Sequence, residues 1–301
     1  MSDLARLPTE ARNPATENLD SLSALELAQA MHAADGEALA AVERELPQIA
    51  RAIESIAERL DPGGRLFYAG AGTSGRLGVL DASECPPTYN TPPEMVQGLI
   101  AGGEVALRRS VERAEDDESQ GRRDLEQHGF SSKDVLVGIA ASGRTPYVLG
   151  GIRYARELGA LTIGLSCVPG SEVARASELA ITPATGPEAV TGSTRMKAGT
   201  ATKLVLNMLS TGTMVRLGYV YGNLMVNVQP TNTKLRDRAA RIIGTITGLS
   251  YLEAAALLKQ AGSVKTAVVM QKLNLGRKEA ELRLQDARGR LRAALESRPP
   301  R

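Results

Sequence analysis

The most constraining feature of this 301-residue chain is a series of short apolar segments that alternate with helical ones through its middle part. The apolar runs predict strands over residues 65–69, 95–101, 134–141, 161–166 and 179–182. Helical patterns cover residues 74–82, a charge-rich stretch ending near 128, 146–158 and 194–216. Strands that alternate with helices are typical of βαβ units. We therefore expect an α/β fold with a doubly wound parallel sheet flanked by helices.

The two ends of the chain carry no strand pattern. Residues 1–20 predict an arm, and a capping box at Ser23–Glu26 opens a helix to about His32. Apolar residues at helical spacing predict a long amphipathic helix over residues 36–60. Four further helices are expected at 234–249, 250–260, 263–273 and 276–295. The expected division is an N-terminal arm with helices (1–60), an α/β domain (61–233) and a small C-terminal helical module (234–301).

Composition narrows the classes of function. The net charge is only +2, aromatic residues make up 3% and Trp is absent, so neither a basic stripe nor a base-stacking surface is expected and nucleic acid is not a predicted partner. No stretch resembles a signal peptide or a membrane span, and we expect a cytoplasmic protein with no membrane partner. Cys85, Cys167, His32 and His128 do not stand at metal-ligand spacing, so no metal is expected.

Loops rich in glycine and hydroxyl groups follow two of the predicted strands. The first reads GAGTSGR over residues 70–76, and the second reads ASGRT over residues 141–145. In a parallel α/β sheet, ligands bind outside the carboxyl ends of the strands. Glycines let the backbone approach an anion closely, and the helix that follows offers free N–H groups. We predict a phosphate site formed by Gly72, Thr73, Ser74, Ser142, Gly143, Arg144 and Thr145.

The first loop also fits the G-x-G-x-x-G pattern of dinucleotide-binding proteins. That alternative requires an acidic residue at the end of the second strand, to hold the ribose. The second strand ends in LIAGG over residues 99–103 and has no acid there, while Glu94 precedes it. A nucleotide-dependent dehydrogenase is therefore the less favoured interpretation, and no organic cofactor is expected.

Two regions supply candidate acid–base groups. Glu84 lies in the segment DASECPP, and Pro86 and Pro87 predict a stiff turn that would fix the direction of a general acid or base. A run of acids follows at residues 112–118, and its pattern alone does not single out one member. The segment TGSTRMKAGT over residues 191–200 could bind an anion at the start of a helix or pack against a partner subunit. Whether Arg12, Asn13 or Lys197 reaches a substrate is left open.

Several of these segments together resemble a known family. The glycine loops and βα units are similar to the sugar isomerase (SIS) domain, a phosphosugar-binding α/β fold. The segments at 70–89, 98–103, 138–148 and 191–203, with TEARN at 9–13 and NLMVNV at 223–228, resemble the N-acetylmuramic acid 6-phosphate etherase family. The resemblance spans nearly the whole chain. Tyr89 and the stretch Val111–Arg113 depart from the family pattern without touching an implied catalytic group.

The resemblance implies an SIS-type fold and a lyase that cleaves the D-lactyl ether of N-acetylmuramic acid 6-phosphate, in cell-wall sugar recycling and amino-sugar catabolism. It implies a homodimer, no metal and no organic cofactor. It assigns the two working carboxylates to Glu84, as the acid for the departing lactate, and Glu115, as the base at C2. Two alternatives are an aldose–ketose phosphosugar isomerase, which would release no lactate, and a non-catalytic phosphosugar sensor, which would not need Glu84.

Overall fold

The computed structural model describes residues 7–296, which fall into two compact units. The sheet unit comprises residues 7–83 and 93–210, and the helical unit comprises residues 84–92 and 211–296. Two long helices, α3 (Gly72–Tyr89) and α8 (Lys197–Arg216), contribute residues to both units. The three-part division expected from the sequence stays a prediction.

The sheet unit is built on five parallel strands in the order β2-β1-β3-β4-β5. The strands are β1 (Leu66–Gly70), β2 (Val96–Ile100), β3 (Val135–Ile139), β4 (Leu161–Leu165) and β5 (Leu179–Ile181). All residues of β1, β3 and β4 are buried, as in parallel sheets that are covered on both faces. The predicted α/β class with a parallel sheet and flanking helices is confirmed.

Helices connect these strands. They are α4 (Gly103–Arg108), α5 (Glu118–Gln127), α6 (Pro146–Glu157) and the short α7 (Glu172–Ala176), together with the first part of α3. The sequence pattern did not predict α7, which is only one turn long and begins at the cap residue Ser171. The first strand is also fixed at its start, because Arg65 and Asp134 form an ion pair of 2.8 Å and the Arg65 N–H donates to the same carboxylate.

Residues 7–60 form three short 3-10 turns (Pro8–Glu10, Pro14–Thr16 and Leu19–Ser21) and two helices. The capping box at Ser23 is confirmed, and it begins α1 (Ala24–Arg44). The single helix expected over residues 36–60 is wrong: the chain breaks at Glu45 and α2 runs Leu46–Leu60. Pro47 explains the break, because it lacks the N–H that would continue the ladder from α1.

The helical unit contains α9 (Thr233–Thr247), α10 (Tyr251–Ala261), α11 (Val264–Leu273), α12 (Arg277–Asp286) and α13 (Leu291–Glu296). The single helix expected at 276–295 is thus two helices, which Arg288 (φ +52°) and Gly289 (φ +71°) separate. The helices share an apolar core around Ile243, Val268 and Ala280. Within residues 7–296 no single helix could cross a membrane. Only α9 and α10 together have the required length and hydropathy, and they are bent by 107°.

Candidate active site

The site is built around the point where the strand order changes direction. Gly70, the last residue of β1, pairs with Ile100 of β2 on one side and with Ile139 of β3 on the other. The chain after β1 therefore leaves the sheet beside the chain after β3. In doubly wound sheets the crevice at such a switch point is where ligands bind.

Glycines shape the first loop. Gly72 begins α3 with a φ of +53°, a backbone conformation that suits glycine. A Cβ on Gly75 would lie 2.6 Å from the carbonyl oxygen of Gly70 and 2.6 Å from Cγ1 of Ile100, so the first turn of α3 packs directly on the strand ends. Thr73 and Ser74 are partly exposed, and their hydroxyls have no hydrogen-bond partner among residues 7–296. They are available to a ligand.

The second loop packs against two serine side chains that are hydrogen-bonded to each other. Gly143 is buried at φ +69°, and a Cβ there would lie 2.2 Å from the side chain of Ser171. Ser171 in turn shares a 2.9 Å hydrogen bond with Ser166 at the end of β4. The hydroxyls of Ser142 and Thr145 make no side-chain hydrogen bond within the described part of the chain. The backbone of the predicted loop is thus fixed by packing, while the hydroxyls of Ser142 and Thr145 remain available to bind a ligand.

Arg144 points differently from the other predicted phosphate ligands. Its Nε lies 3.3 Å from Oε1 of Glu172, the first residue of α7, and both side chains are partly exposed. The guanidinium is therefore ion-paired to α7 in this structure. Its assignment as a phosphate ligand stays a prediction.

Glu115 lies on the wall of a cavity of about 260 Å³ that also reaches the first loop. The cavity is lined by Ala71, Gly72, Arg76, Ala101, Ala106 and residues 109–115. Glu115 is exposed on a 3-10 turn (Ala114–Asp116) that contacts α6, the helix after the second loop. Arg113 enters this turn at φ +63°, which is uncommon for a residue with a side chain. Of the acidic run, Glu112 and Glu115 line the cavity.

Glu84 lies inside α3, in the helical unit, and its side chain is exposed. The stiff turn predicted after it is wrong, because α3 continues through Pro86 and Pro87 to Tyr89. The end of the helix is held by other contacts: Asn227 of the NLMVNV segment donates to the Tyr89 carbonyl at 2.6 Å, and the Tyr89 hydroxyl bonds Thr211 at 3.1 Å. These bonds position the last turns of the helix that carries Glu84.

The middle of α3 is anchored in the sheet unit by a buried carboxylate. Asp81 accepts hydrogen bonds from Tyr68 of β1 (2.9 Å), Asn207 of α8 (2.6 Å) and Ser210 of α8 (3.2 Å). Sequence reasoning did not assign Asp81 a role. A carboxylate between two apolar stretches is a recognisable signal, but its three partners come from distant parts of the chain.

The N-terminus of α8 is capped by a residue that the sequence analysis did not single out. Glu188 is 1% exposed, and its two oxygens accept from the N–H groups of Lys197 (2.9 Å) and Ala198 (3.0 Å). The helix expected from Thr194 therefore begins at Lys197, and the N–H groups of its first two residues donate to a carboxylate of the same chain. A Cβ on Gly199 would lie 3.5 Å from Cγ2 of Thr73, so this helix start borders the first loop.

Lys197 and Asn13 both have internal partners. The ammonium of Lys197 is buried and lies 2.6 Å from Oε2 of Glu37 on α1. Asn13 donates to the carbonyl of Pro187 at 3.3 Å, and Thr16 donates to that of Ala189 at 2.9 Å. The TEARN segment thus packs on the loop that holds Glu188, whereas Arg12 is exposed.

Neither cysteine carries the marks of a nucleophile. Cys85 and Cys167 are both buried and neither forms a disulfide, and burial raises the pKa of Cys167 to about 12. Within residues 7–296 no group of three or more His, Cys, Asp or Glu side chains could hold a metal ion.

Comparison with known proteins places this fold and site in a class. Residues 127–212 match the SIS domain family, and residues 48–156 match the N-terminal SIS domain of glucokinase regulatory protein. The structure is also similar to that of a Bacteroides fragilis protein described as a phosphosugar isomerase involved in capsule formation, with a TM-score of 0.50 and 19% identity over 67% of this chain and 95% of the other. The class is that of α/β proteins with an SIS domain.

Full-length relatives define the family within that class. N-acetylmuramic acid 6-phosphate etherases from Rhodopirellula baltica and Serratia proteamaculans are each 54% identical to this chain over 97% of it, and over 97% and 99% of their own lengths. The etherase from Clostridium beijerinckii is 52% identical over 98% of this chain and 97% of its own. The chain belongs to the N-acetylmuramic acid 6-phosphate etherase family.

Proposed function

We propose that this protein cleaves the D-lactyl ether of N-acetylmuramic acid 6-phosphate and releases N-acetylglucosamine 6-phosphate and D-lactate. The observation that carries the proposal within the structure is the shared cavity of Gly72 and Glu115, a candidate phosphate loop beside a candidate base. Relatives at 52–54% identity over nearly the whole chain bear the etherase name. The protein is accordingly a carbon–oxygen lyase.

The chemistry of the substrate favours elimination. An ether is a poor target for direct hydrolysis, but the sugar can open to its aldehyde form. The C2 proton then becomes acidic because the resulting carbanion is delocalised onto the carbonyl. Removing that proton allows the C3–O bond to break. Two carboxyl groups are enough for this reaction, one as the base that removes the proton and one as the acid that protonates the leaving oxygen.

Glu115 is the proposed base. Its carboxylate takes the C2 proton, the electron pair forms the C2–C3 double bond, and the C3–O bond breaks. Glu84 is the proposed acid, and its proton goes to the lactate oxygen as the bond breaks. Water then adds its oxygen to C3 and a proton returns to C2, which restores the saturated sugar. The net reaction consumes one water.

The two loops are the proposed holders of the phosphate. Thr73, Ser74, Ser142 and Thr145 offer hydroxyls that have no hydrogen-bond partner among residues 7–296. Gly72 leaves the backbone of the first loop open to an anion, and Gly143 lets the second loop pack against Ser171. Holding the phosphate at one end of the open chain fixes C2 relative to Glu115. Such positioning is itself a large part of catalysis.

Finer expectations are also part of the proposal. We propose a homodimer, which is supported by α1, whose exposed side includes Leu25 (68%), Met31 (38%) and Leu39 (59%). We propose action in the cytoplasm, in the recycling of cell-wall sugars. Neither cysteine forms a disulfide, which suits a reducing compartment.

The direct test is to incubate the purified protein with N-acetylmuramic acid 6-phosphate and to measure D-lactate with a lactate dehydrogenase. We expect D-lactate and N-acetylglucosamine 6-phosphate in equal amounts. A ketose phosphate without lactate would indicate an isomerase, and binding without turnover would indicate a sensor. Either of those results would contradict the proposal.

A further inference from the structure

The cavity that holds Glu115 contains more positive charge than phosphate binding by the two loops requires. Three guanidinium groups line it, from Arg76, Arg109 and Arg113, together with the carboxylates of Glu112 and Glu115. Arg76 is already engaged, since its Nε donates to the carbonyl of Leu107 at 3.2 Å. Two arginines are left whose role the proposed mechanism does not use.

Arg109 and Arg113 line the cavity, whereas Arg12, Arg108 and Arg195, which also have no ion pair or side-chain hydrogen bond within residues 7–296, do not. Exposed neighbours such as Arg122, Arg123 and Arg153 are paired with carboxylates. Within residues 7–296, neither Arg109 nor Arg113 has an ion pair or a side-chain hydrogen bond, although Glu112 lines the same cavity. Their charges therefore face the cavity without an internal partner.

The lactyl leaving group carries a carboxylate that these arginines could bind. The lactyl group is attached at C3, next to the carbon from which Glu115 removes the proton, and it ends in a carboxylate a few bonds away. If Glu115 works at C2, the lactyl carboxylate must lie in or at the edge of the same cavity. A guanidinium binds a carboxylate with two parallel hydrogen bonds, which also fixes its orientation.

We propose that Arg109 binds the carboxylate of the lactyl group and so selects substrates that carry it. This inference rests on the proposed function and adds a specificity residue to it. Arg109 is favoured over Arg113 because it is the cap residue of α4, where its N–H donates to the Val105 carbonyl at 3.0 Å. Arg113 stands instead in the link between α4 and the turn, at φ +63°. A group carried at the end of a helix is held more firmly than one in a link.

Binding to Arg109 also has a consequence for the reaction. The carboxylate keeps its charge throughout, so the guanidinium does not take part in proton transfer. It instead holds the C3–O bond in one orientation relative to the C2–H bond. Arg109 is therefore a specificity and positioning residue, and its loss affects the lactyl-bearing substrate only.

The experiment compares Arg109→Gln with Arg108→Gln, its neighbour on α4, which is also exposed but does not line the cavity. Binding is measured by calorimetry in the Glu115→Gln background, which slows turnover of the substrate during the measurement. The ligands are N-acetylmuramic acid 6-phosphate and N-acetylglucosamine 6-phosphate, which has the phosphate but no lactyl group. We expect Arg109→Gln to weaken the first by about 10–100-fold and the second by less than about twofold. Arg108→Gln should change neither.

Further arms decide between explanations. Arg109→Lys should restore part of the affinity, and a substrate whose lactyl carboxylate is converted to an amide should bind wild type and Arg109→Gln alike. Equal weakening of both sugar phosphates would overturn the inference in favour of a phosphate contact. A loss in Arg113→Gln but not in Arg109→Gln would also overturn it. If the wild-type protein releases no lactate, the proposed function fails, yet the binding comparison still tests Arg109.

Discussion

Gly70 and Ile139 are register partners at the ends of β1 and β3, and this pairing sets the two glycine loops side by side. The strand order reverses between these two strands, which opens a crevice above them. Helix α3 begins on one side of the crevice, and the Gly143 loop closes the other. The cavity with Glu115 lies against the start of α3.

Replacing Glu115 by Gln should reduce D-lactate release by about 10²–10⁴-fold, because an amide cannot take up the C2 proton. The side chain is exposed, so the melting temperature should stay within about 1–2 °C of wild type. Glu112→Gln is the matched control, since Glu112 lines the same cavity. It should keep near-normal turnover. Loss of activity in Glu112→Gln with full activity in Glu115→Gln would reverse the assignment.

Glu84→Gln should lose lactate release to a similar extent, about 10²–10⁴-fold, but by a different step. Without the acid the C3–O bond breaks slowly, while Glu115 can still remove and return the C2 proton. In heavy water we therefore expect Glu84→Gln to exchange the C2 hydrogen of intact substrate for deuterium, as seen by proton NMR. Glu115→Gln should show no exchange. Exchange in Glu115→Gln alone would mean that the two roles are the other way round.

Gly143→Ala and Gly170→Ala form a matched pair, since both glycines have φ near +70° but only Gly143 is packed against other atoms. Gly170→Ala meets no atom within 4 Å and should cost about 1–2 kcal/mol from the backbone conformation alone. Gly143→Ala collides with Ser171 and should displace the second loop. We expect its affinity for N-acetylglucosamine 6-phosphate, by calorimetry, to fall about tenfold or more, and that of Gly170→Ala to change little. Equal affinities would show that the second loop does not bind the phosphate.

Asp134 should make stability depend on pH in the acid range. Burial acts to raise the pKa of Asp134, but hydrogen bonds from Arg65 and from the N–H of Ser131 outweigh it, so the pKa lies below its ordinary value. The unfolded chain takes up this proton near pH ~3.9, before the folded protein does. The stabilisation is therefore present above about pH 4 and is lost as the pH falls below it.

The measurement for Asp134 is the free energy of unfolding in urea at pH 7 and at pH 3.5. Asp134→Asn should lower it by about 1–3 kcal/mol at pH 7, and its deficit relative to wild type should shrink at pH 3.5. Glu126→Gln removes one side of the exposed pair with Arg122 and should cost no more than about 1 kcal/mol. A deficit for Asp134→Asn that grows as the pH falls would contradict the assigned direction.

The sheet could be predicted from the sequence because its signal is local. Each buried strand is a mostly apolar run that ends at or just before a small residue, as at Gly70, Ala140 and Ser166. Parallel strands that are buried on both faces have this pattern in their sequence whichever helices pack on them. The two loops followed from the same argument, because their position at the strand ends is a property of the fold class.

Other features depend on contacts between residues far apart in the sequence and could not be predicted from a local sequence pattern. Two prolines ordinarily end a helix, yet α3 continues through them, and its last turn is held by Asn227, which lies far along the chain. Glu188 sits in a loop with no periodic pattern, and only the fold brings it to the start of α8. The choice of Glu115 within its acidic run came from family resemblance, and the position of Glu115 on the cavity wall depends on the turn after Arg113.

The measurement that tests the central claim most directly is the fate of solvent oxygen. The protein is incubated with N-acetylmuramic acid 6-phosphate in water enriched in oxygen-18, and both products are analysed by mass spectrometry. Elimination followed by water addition breaks the C3–O bond, so the label should appear on C3 of N-acetylglucosamine 6-phosphate and D-lactate should remain unlabelled. Label in the lactate hydroxyl, or no release of lactate at all, would contradict the account.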